Sequence, residues 1–230
     1  MNTANLQIAI DGPVASGKGD IAARLAAKLG LLYIYTGAMY RALALACIRE
    51  QISCKDEDKV VQQLTTHAIS MRVPDAHSPY AYCVLLNGED VTERITHQDT
   101  AQGASDVGSI AAVRTRMVAM QRSIAQNNRV VMEGRDIGLR VLPDAQLKIY
   151  LTASVEERAR RRYNDWVKKG IQKTYEETLE DTRIRDLQDM TRATDPLQKV
   201  DDAWELDTTQ MTQEMVTSTI ENELQRRGLL

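Results

Sequence analysis

The chain has 230 residues and a formal net charge of −3, with 29 lysines and arginines against 32 aspartates and glutamates. This balance argues against a general nucleic-acid-binding protein, which usually carries an excess of basic residues. No apolar run approaches the roughly 20 residues that a membrane-spanning helix needs, and the stretch Met1–Asn5 lacks the profile of a signal peptide. We therefore expect a cytoplasmic protein that binds neither nucleic acids nor membranes.

The chain is long enough to bury a substantial core, either as one domain with inserted lobes or as two small domains. It contains no phenylalanine, so the core must consist mainly of leucine, isoleucine, valine, alanine and methionine. The cysteines Cys47, Cys54 and Cys83 have no spacing typical of metal ligands. We expect them to be buried free thiols.

The N-terminal part predicts a strand, a glycine-rich loop and a helix in direct succession. An apolar run at Ile8–Ile10 precedes the loop, and a helical pattern runs from Ile21 to Leu29. The loop has the spacing G-x-x-x-x-G-K and comprises Gly12, Pro13, Val14, Ala15, Ser16, Gly17, Lys18, Gly19 and Asp20. Converging backbone N–H groups, the start of a helix and the charge of Lys18 together suit phosphate binding. A tight turn without a ligand is the alternative, which the flanking strand and helix disfavour.

A second strand, Leu31–Tyr35, is followed at once by a helix that opens at Thr36–Arg41 and runs to about Arg49. Strands and helices that alternate in this way predict a parallel sheet with right-handed crossovers. Thr36 is suited to cap the N-terminus of the second helix. Arg41 lies within reach of the C-terminal edge of the sheet, although an ordinary solvated arginine would fit this segment equally well.

The next part of the chain predicts a small antiparallel insertion. After a helix over residues 56–70, the stretches Met71–Val73 and Tyr80–Leu86 favour strands, and Asn87-Gly88 is a strong signal for a hairpin turn. Val91 would lie on the returning strand. We expect the block from about 71 to 95 to be separate from the parallel core.

Candidate ligand-binding residues follow on either side of a buried strand. Two predicted helices, about 98–109 and 114–127, carry Ser105 and Arg114, which on local grounds fit an ordinary helix surface. The strand Arg129–Met132 ends in Glu133–Gly138, which places Arg135 and Asp136 just past the C-terminal end of a strand. Open α/β sheets bind ligands at that edge, although a plain turn is the alternative.

The C-terminal part predicts one more strand, Gln146–Leu151, and two helices. Ser154–Glu157 has the pattern of a capping box at the start of a basic helix that carries Arg158 and Arg162. A second helix covers about 175–191, and after it come a short strand and turn over 202–209 and a closing helix to residue 227. Along the second helix Arg185, Asp189 and Arg192 are spaced i, i+4 and i+7, hence on one face. The simplest interpretation of this spacing is a surface ion pair.

Taken together, these stretches resemble the bacterial-type cytidylate kinases, which are P-loop nucleoside monophosphate kinases. The matching stretches are Ile10–Pro13, Gly17–Gly19, Thr36–Arg41, Asn87–Thr92, Glu133–Gly138, Pro143–Ala145, Arg185–Asp186 with Asp189 and Arg192, and Asp207–Thr209. The glycine loop is widespread, whereas Thr36–Arg41 and Glu133–Gly138 are far more specific. The resemblance implies a P-loop NTPase-type three-layer α/β fold with a five-stranded parallel sheet, an inserted small antiparallel β lobe and a short lid.

The resemblance also implies a division of the single domain 1–230. The core would comprise 1–36, 114–162 and 184–230, and the nucleoside-monophosphate lobe would comprise 37–113 with the insertion 71–95. The lid would lie at about 163–183, and the protein would be a monomer.

The implied reaction is ATP + (d)CMP → ADP + (d)CDP with Mg²⁺. By resemblance the glycine loop would bind ATP with Arg158 and Arg162, and the catalytic residues would be Lys18, Arg135, Arg185 and Arg192. The CMP-binding residues would be Thr36, Arg41, Ser105, Arg114, Arg135, Asp136, Arg185 and Asp189. Arginine suits these positions because its planar fork pairs with phosphate oxygens and stays charged.

Two positions depart from the family pattern. Asp20 stands where the family usually has threonine or serine, and Tyr35 stands where it usually has aspartate. The two residues could have exchanged roles, with Asp20 binding Mg²⁺ or its waters and the Tyr35 hydroxyl donating to Asp20. Independent drift would instead leave an unpaired acid facing phosphate. Two other functions therefore stay open: a nucleotide-binding protein with weakened catalysis, and a P-loop kinase for another small acceptor.

Overall fold

A computed structural model describes residues 6–126 and 128–230. Met1–Asn5, and with them the expectation of no signal peptide, lie outside the described residues. In chain order the elements are β1 (Gln7–Asp11), α1 (Lys18–Leu29), β2 (Leu32–Tyr35), α2 (Thr36–Arg49), α3 (Glu57–Thr66), β3 (Ile69–Arg72), β4 (Cys83–Leu86), β5 (Glu89–Asp90), α4 (Gln98–Val107), α5 (Ala111–Ala125), β6 (Val130–Gly134), β7 (Leu147–Thr152), α6 (Val155–Lys168), α7 (Tyr175–Thr191), β8 (Trp204–Asp207) and α8 (Gln213–Arg226).

The central sheet has five parallel strands in the order β2-β6-β1-β7-β8. Apolar residues form most of β1, β6 and β7, as is typical of parallel strands that are covered on both faces. Strand β1 lies in the middle of the sheet, between β6 and β7. The predicted five-stranded parallel core is therefore confirmed, and the glycine loop leaves the sheet from its central strand.

Two layers of side chains cover the sheet. On one face Ile8 and Ile10 pack with α1 and α8, which contribute Ile21, Leu25 and Ile220 among others. On the other face Ala9 and Met132 pack with side chains of α5 and of the turn that follows β6. Helix, sheet and helix thus form the three layers that the resemblance implied. Aliphatic side chains fill both interfaces, as expected for a chain that lacks phenylalanine.

A second apolar core surrounds α2. Met39 and Leu43 of that helix pack with Val60, Val84 and Ile95, all of them buried. The strands β3, β4 and β5 form a separate antiparallel sheet over this core. The predicted small antiparallel lobe is therefore confirmed.

The hairpin turn has the predicted geometry, whereas the predicted strand bounds need correction. Asn87 and Gly88 have φ values of 53° and 84°, which is the left-handed pair that a two-residue hairpin favours. Strand β3 begins at Ile69, inside the predicted helix, and β4 begins only at Cys83. Tyr82 is not part of β4, and its ring packs against Tyr35 with centroids 5.3 Å apart. Val91 follows the short return strand and is buried in the second core.

The two helices that the sequence predicted on the C-terminal side are present as α6 and α7, and they pack against each other. The predicted capping box at Ser154 is only half formed: the Ser154 hydroxyl accepts from the Glu157 N–H, but the Glu157 carboxylate pairs with Arg160 and Arg161. A complete capping box begins α7 instead, at Thr174 and Glu177. The assignment of 163–183 as a lid, like the rest of the domain division, stays a prediction.

The cysteines are free: Cys47 and Cys83 are buried, and Cys54 is half-buried. The expectation of buried free thiols is thus confirmed for two of the three. Within residues 6–126 and 128–230, every helix is too short or too polar to cross a membrane.

Candidate active site

The glycine loop connects β1 to α1, and the side chain of Lys18 donates hydrogen bonds to it. A Cβ atom at Gly12 would lie 2.0 Å from the Leu151 carbonyl oxygen, so the neighbouring strand leaves room only for glycine. The Lys18 ammonium donates to the Pro13 carbonyl at 2.7 Å and to the Ser16 hydroxyl at 3.3 Å. These contacts tie the Lys18 ammonium to the loop that the sequence predicts to bind phosphate.

Lys18 is only 5% exposed and lies among other charged groups. Burial and the nearby charge of Arg135 lower the pKa of Lys18 to about 7, against the opposing effect of Glu133. Burial raises the pKa of Glu133, and the charge of Asp20 adds to the rise. A bound phosphate would favour the charged form of Lys18, because an opposite charge in a buried site raises a lysine pKa.

The turn after β6 is held by a buried carboxylate to which the sequence had assigned no role. The Asp11 carboxylate accepts the backbone N–H groups of Ile137 and Gly138, each at 2.8 Å. Burial raises the pKa of Asp11 to about 6 despite these bonds. The sequence feature that could have indicated this role is the position of Asp11, an acidic residue at the end of an apolar strand. Through this contact the central strand orients the loop that carries Arg135 and Asp136.

Three of the predicted site residues meet beside Lys18. The Arg135 Nε donates to Asp189 Oδ2 at 2.7 Å, and the Arg185 Nε lies 3.5 Å from Asp189 Oδ1. Asp189 is 4% exposed, so the interpretation of this spacing as a surface ion pair is wrong. Burial alone would raise the pKa of Asp189, but the charges of Arg135 and Arg185 outweigh it and lower the pKa. The result is a pair of arginines fixed by one carboxylate.

A second cluster forms around Arg114. Arg114 pairs with Asp136 and donates to the Gly108 carbonyl at 3.3 Å, which brings the end of α4, the helix of Ser105, next to it. The Arg192 Nη2 lies 3.5 Å from Asp136 Oδ1. Because α7 ends at Thr191, Arg192 leaves the helix face that the i+7 spacing predicted and turns toward this cluster.

Thr36 and Arg41 have different contacts from those expected. Tyr35 holds the N-cap position of α2, so the prediction that Thr36 caps this helix is wrong. The Thr36 hydroxyl donates instead to the Glu133 carbonyl at 2.8 Å, which joins the ends of β2 and β6. Arg41 is half-buried and donates to the Ile95 carbonyl at 2.9 Å. It is thus not the solvated surface arginine that was the alternative.

Three arginines of α6 lie near the glycine loop or the arginine pair. Arg158 donates to the Val14 carbonyl at 3.2 Å, and Arg161 donates to the Ser16 carbonyl at 3.3 Å. Burial lowers the pKa of Arg162, and its neighbours include Arg185 and Arg41. The sequence missed Arg161, because a run of basic residues on one helix does not indicate which of them faces the loop.

The family model for cytidylate kinase matches residues 8–226. The chain belongs to the cytidylate kinase family. The cytidylate kinase of Caldanaerobacter subterraneus subsp. tengcongensis is 46% identical over 215 residues, covering 94% of this chain and 92% of that protein. The cytidylate kinase of Limosilactobacillus fermentum is 41% identical over 222 residues, covering 96% of each. The predicted family is thus confirmed, and the chain is a kinase enzyme.

A solved structure shows a similar fold. An uncharacterized protein from Eubacterium ventriosum superposes with a TM-score of 0.52 at 10% sequence identity, covering 96% of this chain and 98% of that one. At this identity the likeness concerns the fold alone.

The two departures from the cytidylate kinase pattern do not form the predicted contact. Asp20 is exposed, and its Oδ2 accepts from Gln213 Nε2 of α8 at 2.8 Å. The Tyr35 ring covers Gly37, where a Cβ atom would come within 2.6 Å of it. The hydrogen bond from Tyr35 to Asp20 that a role exchange requires is absent from the described part of the chain. In this structure Asp20 faces α8.

Proposed function

We propose that the chain transfers the γ-phosphoryl group of ATP to CMP or dCMP, giving ADP and CDP or dCDP. The observation that carries this proposal is the arrangement of Lys18, Arg135, Arg185 and Asp189 beside the glycine loop at one edge of the sheet. Phosphoryl transfer depends on positioning and on neutralising charge more than on covalent chemistry. The relatives that carry the name cytidylate kinase support this reaction and favour neither alternative function.

The glycine loop, residues 12–20, would hold the ATP phosphates. Lys18 would contribute a mobile charge, while Arg158 holds the loop through the Val14 carbonyl. In the described residues, histidine, cysteine, aspartate and glutamate form no group of three or more that could hold a metal ion. Mg²⁺ is usually held by substrate phosphates, water and one or two carboxylates, so its binding here would depend mainly on the ATP phosphates. Asp20 would contribute the carboxylate only by turning from Gln213 toward the phosphates, and the ion would neutralise charge on the phosphates.

The acceptor phosphate would lie among Arg41, Arg135, Arg185 and Arg192. Asp189 orients two of these arginines and is itself buried. Arg162 lies near Arg41 and Arg185, so we extend its role from ATP toward the transferred group. Thr36 supports this edge of the site through its bond to the Glu133 carbonyl.

Asp136, Arg114 and Ser105 would read the base. Cytosine has an amine at C4, which a carboxylate accepts, whereas its O2 and N3 accept from arginine and serine. Uracil has an oxygen at C4 and a hydrogen on N3. At these two positions an acceptor of the protein would therefore face an acceptor of the base, and a donor would face a donor. Arg114 and Asp136 are both buried, and leaving buried polar groups unpaired gives strong discrimination.

The test is ADP formation from ATP with CMP, dCMP, UMP, AMP, shikimate or no acceptor. We expect rapid turnover of CMP and dCMP only. In the same assay Asp136→Asn should narrow the CMP/UMP ratio of kcat/KM by roughly tenfold or more. An unchanged ratio would mean that the base is read elsewhere. Turnover of another acceptor, or binding of nucleotides without turnover, would support one of the two alternative functions instead.

The remaining parts of the proposal are a monomeric state, a cytoplasmic location, and small-molecule substrates without nucleic-acid or membrane partners. They stay predictions from the sequence.

A further inference from the structure

Asp195 lies in the loop that follows α7 and contacts three arginines. Its Oδ2 accepts from Arg114 Nε at 3.0 Å, and its Oδ1 accepts from Arg140 Nε at 2.7 Å. Its backbone carbonyl accepts from Arg192 Nε at 2.7 Å. The side chain is only 10% exposed. A single residue outside the predicted site residues thus joins the loop after α7 to α5 and to the turn after β6.

The backbone of Asp195 adopts an unusual conformation. Its φ is +48°, in the left-handed region that residues other than glycine, asparagine and aspartate seldom adopt. This conformation allows the carbonyl and the carboxylate of one residue to meet different guanidinium groups.

Asp195 affects how many hydrogen bonds Asp136 can still accept. The side chain of Arg114 is 3% exposed and pairs with Asp136 and Asp195. A carboxylate has about four lone-pair positions, and Asp136 already accepts from Arg114 and lies beside Arg192. The Arg114 Nε donates to the Asp195 carboxylate, and the Arg192 Nε donates to the Asp195 backbone carbonyl. Because these two groups bind Asp195, Asp136 keeps lone pairs that can accept from a ligand.

We infer that Asp195 is a positioning residue for base recognition. It fixes the plane of the Arg114 guanidinium and leaves acceptor capacity on Asp136, so it contributes to the preference for CMP over UMP. This inference rests on the proposed function and deepens it, since Asp136 and Arg114 are the groups that would contact the base.

Two variants test this role. Asp195→Gly removes the side chain while tolerating the positive φ, and Asp195→Asn keeps one acceptor oxygen without the charge. We expect Asp195→Gly to lower kcat/KM for CMP about tenfold and that for UMP much less, because the lost contacts concern cytosine. Asp195→Asn should lie between this variant and wild type, and KM for ATP should stay unchanged in both.

The matched control is Asp202→Asn. Asp202 follows Asp195 in the same connection to β8, and its exposed carboxylate pairs with Lys148. This change also removes a paired acid, but it should leave the CMP/UMP ratio unchanged. Thermal unfolding of each variant separates a loss of stability from a loss of selectivity.

Equal loss of activity toward CMP and UMP in folded Asp195 variants would overturn the inference and leave Asp195 a structural residue. If Asp195→Gly does not fold, an unchanged ratio in Asp195→Asn overturns it as well. A wild-type protein that does not prefer CMP would instead overturn the proposed function, and this inference with it.

Discussion

At the scale of single residues, burial changes what a charged side chain does. The Lys18 ammonium donates to the Pro13 carbonyl of the glycine loop. Burial and the charge of Arg135 lower the pKa of Lys18 to about 7. An ammonium in such a site interacts more strongly with phosphate than one in water. This position is consistent with the roles in binding and catalysis that we propose for Lys18.

We expect Lys18→Ala to lower kcat by roughly 100-fold or more, since its charge would stabilise negative charge that shifts during transfer. Circular dichroism and rate should be measured together. Lys28→Ala is the matched control, because it removes a lysine of the same helix whose own side chain is 60% exposed and pairs with Glu221 of α8, and it should keep full activity. A folded Lys18→Ala protein with a near wild-type rate would contradict the assignment of the phosphate loop.

At the scale of elements, a buried ion pair links α6, α7 and the glycine loop. The Arg158 Nη1 lies 2.7 Å from Asp186 Oδ2 on α7 and 3.2 Å from the Val14 carbonyl. The Arg158 Nε donates to the Ala153 carbonyl at 2.9 Å. Removing one partner of such a pair leaves a buried charge uncompensated, which destabilises far more than losing a surface pair.

We expect Asp186→Ala to lower the free energy of unfolding by about 3 kcal/mol and to raise KM for ATP more than KM for CMP. Asp181→Ala is the control on the same helix. Asp181 pairs with Lys173 at a more exposed site, so its loss should cost less than about 1 kcal/mol. Urea unfolding and steady-state kinetics check both. Equal losses in the two variants would mean that the buried pair does not support the loop.

At the scale of the whole molecule, Asp11 couples stability to pH, because it joins the central strand to the turn after β6. Burial raises the pKa of Asp11 from 3.8 to about 6. The folded state therefore binds this proton more tightly than the unfolded state. The resulting contribution to stability is complete below about pH 4 and is lost as the pH rises through about 6.

We expect the stability of wild type relative to Asp11→Asn to fall by about 2 kcal/mol between about pH 4.5 and about pH 7. The variant lacks the titrating group, so the comparison removes the effects of other ionisations. Urea unfolding across this range provides the measurement. A difference that stays constant with pH would contradict the raised pKa of Asp11.

The parallel core, the glycine loop and the hairpin at Asn87-Gly88 could all be predicted from the sequence. These features depend on local chemistry: apolar runs that suit buried strands, glycines where the backbone comes close, and a residue pair that tolerates positive φ. The resemblance to a known family also predicted site roles for Arg135, Asp136 and Asp189, which stay predictions.

The pairing of the charged groups became visible only in the folded chain. Arg114 and Asp195 are 81 positions apart in the chain, and neither has a local pattern that indicates the other. The same limit explains the wrong expectations for Thr36 and Arg192, because Thr36 donates to Glu133 on another strand and Arg192 lies beside Asp136 in the turn after β6. Side-chain pairing depends on which elements lie side by side in the fold, and the sequence of one segment does not show which elements will be its neighbours.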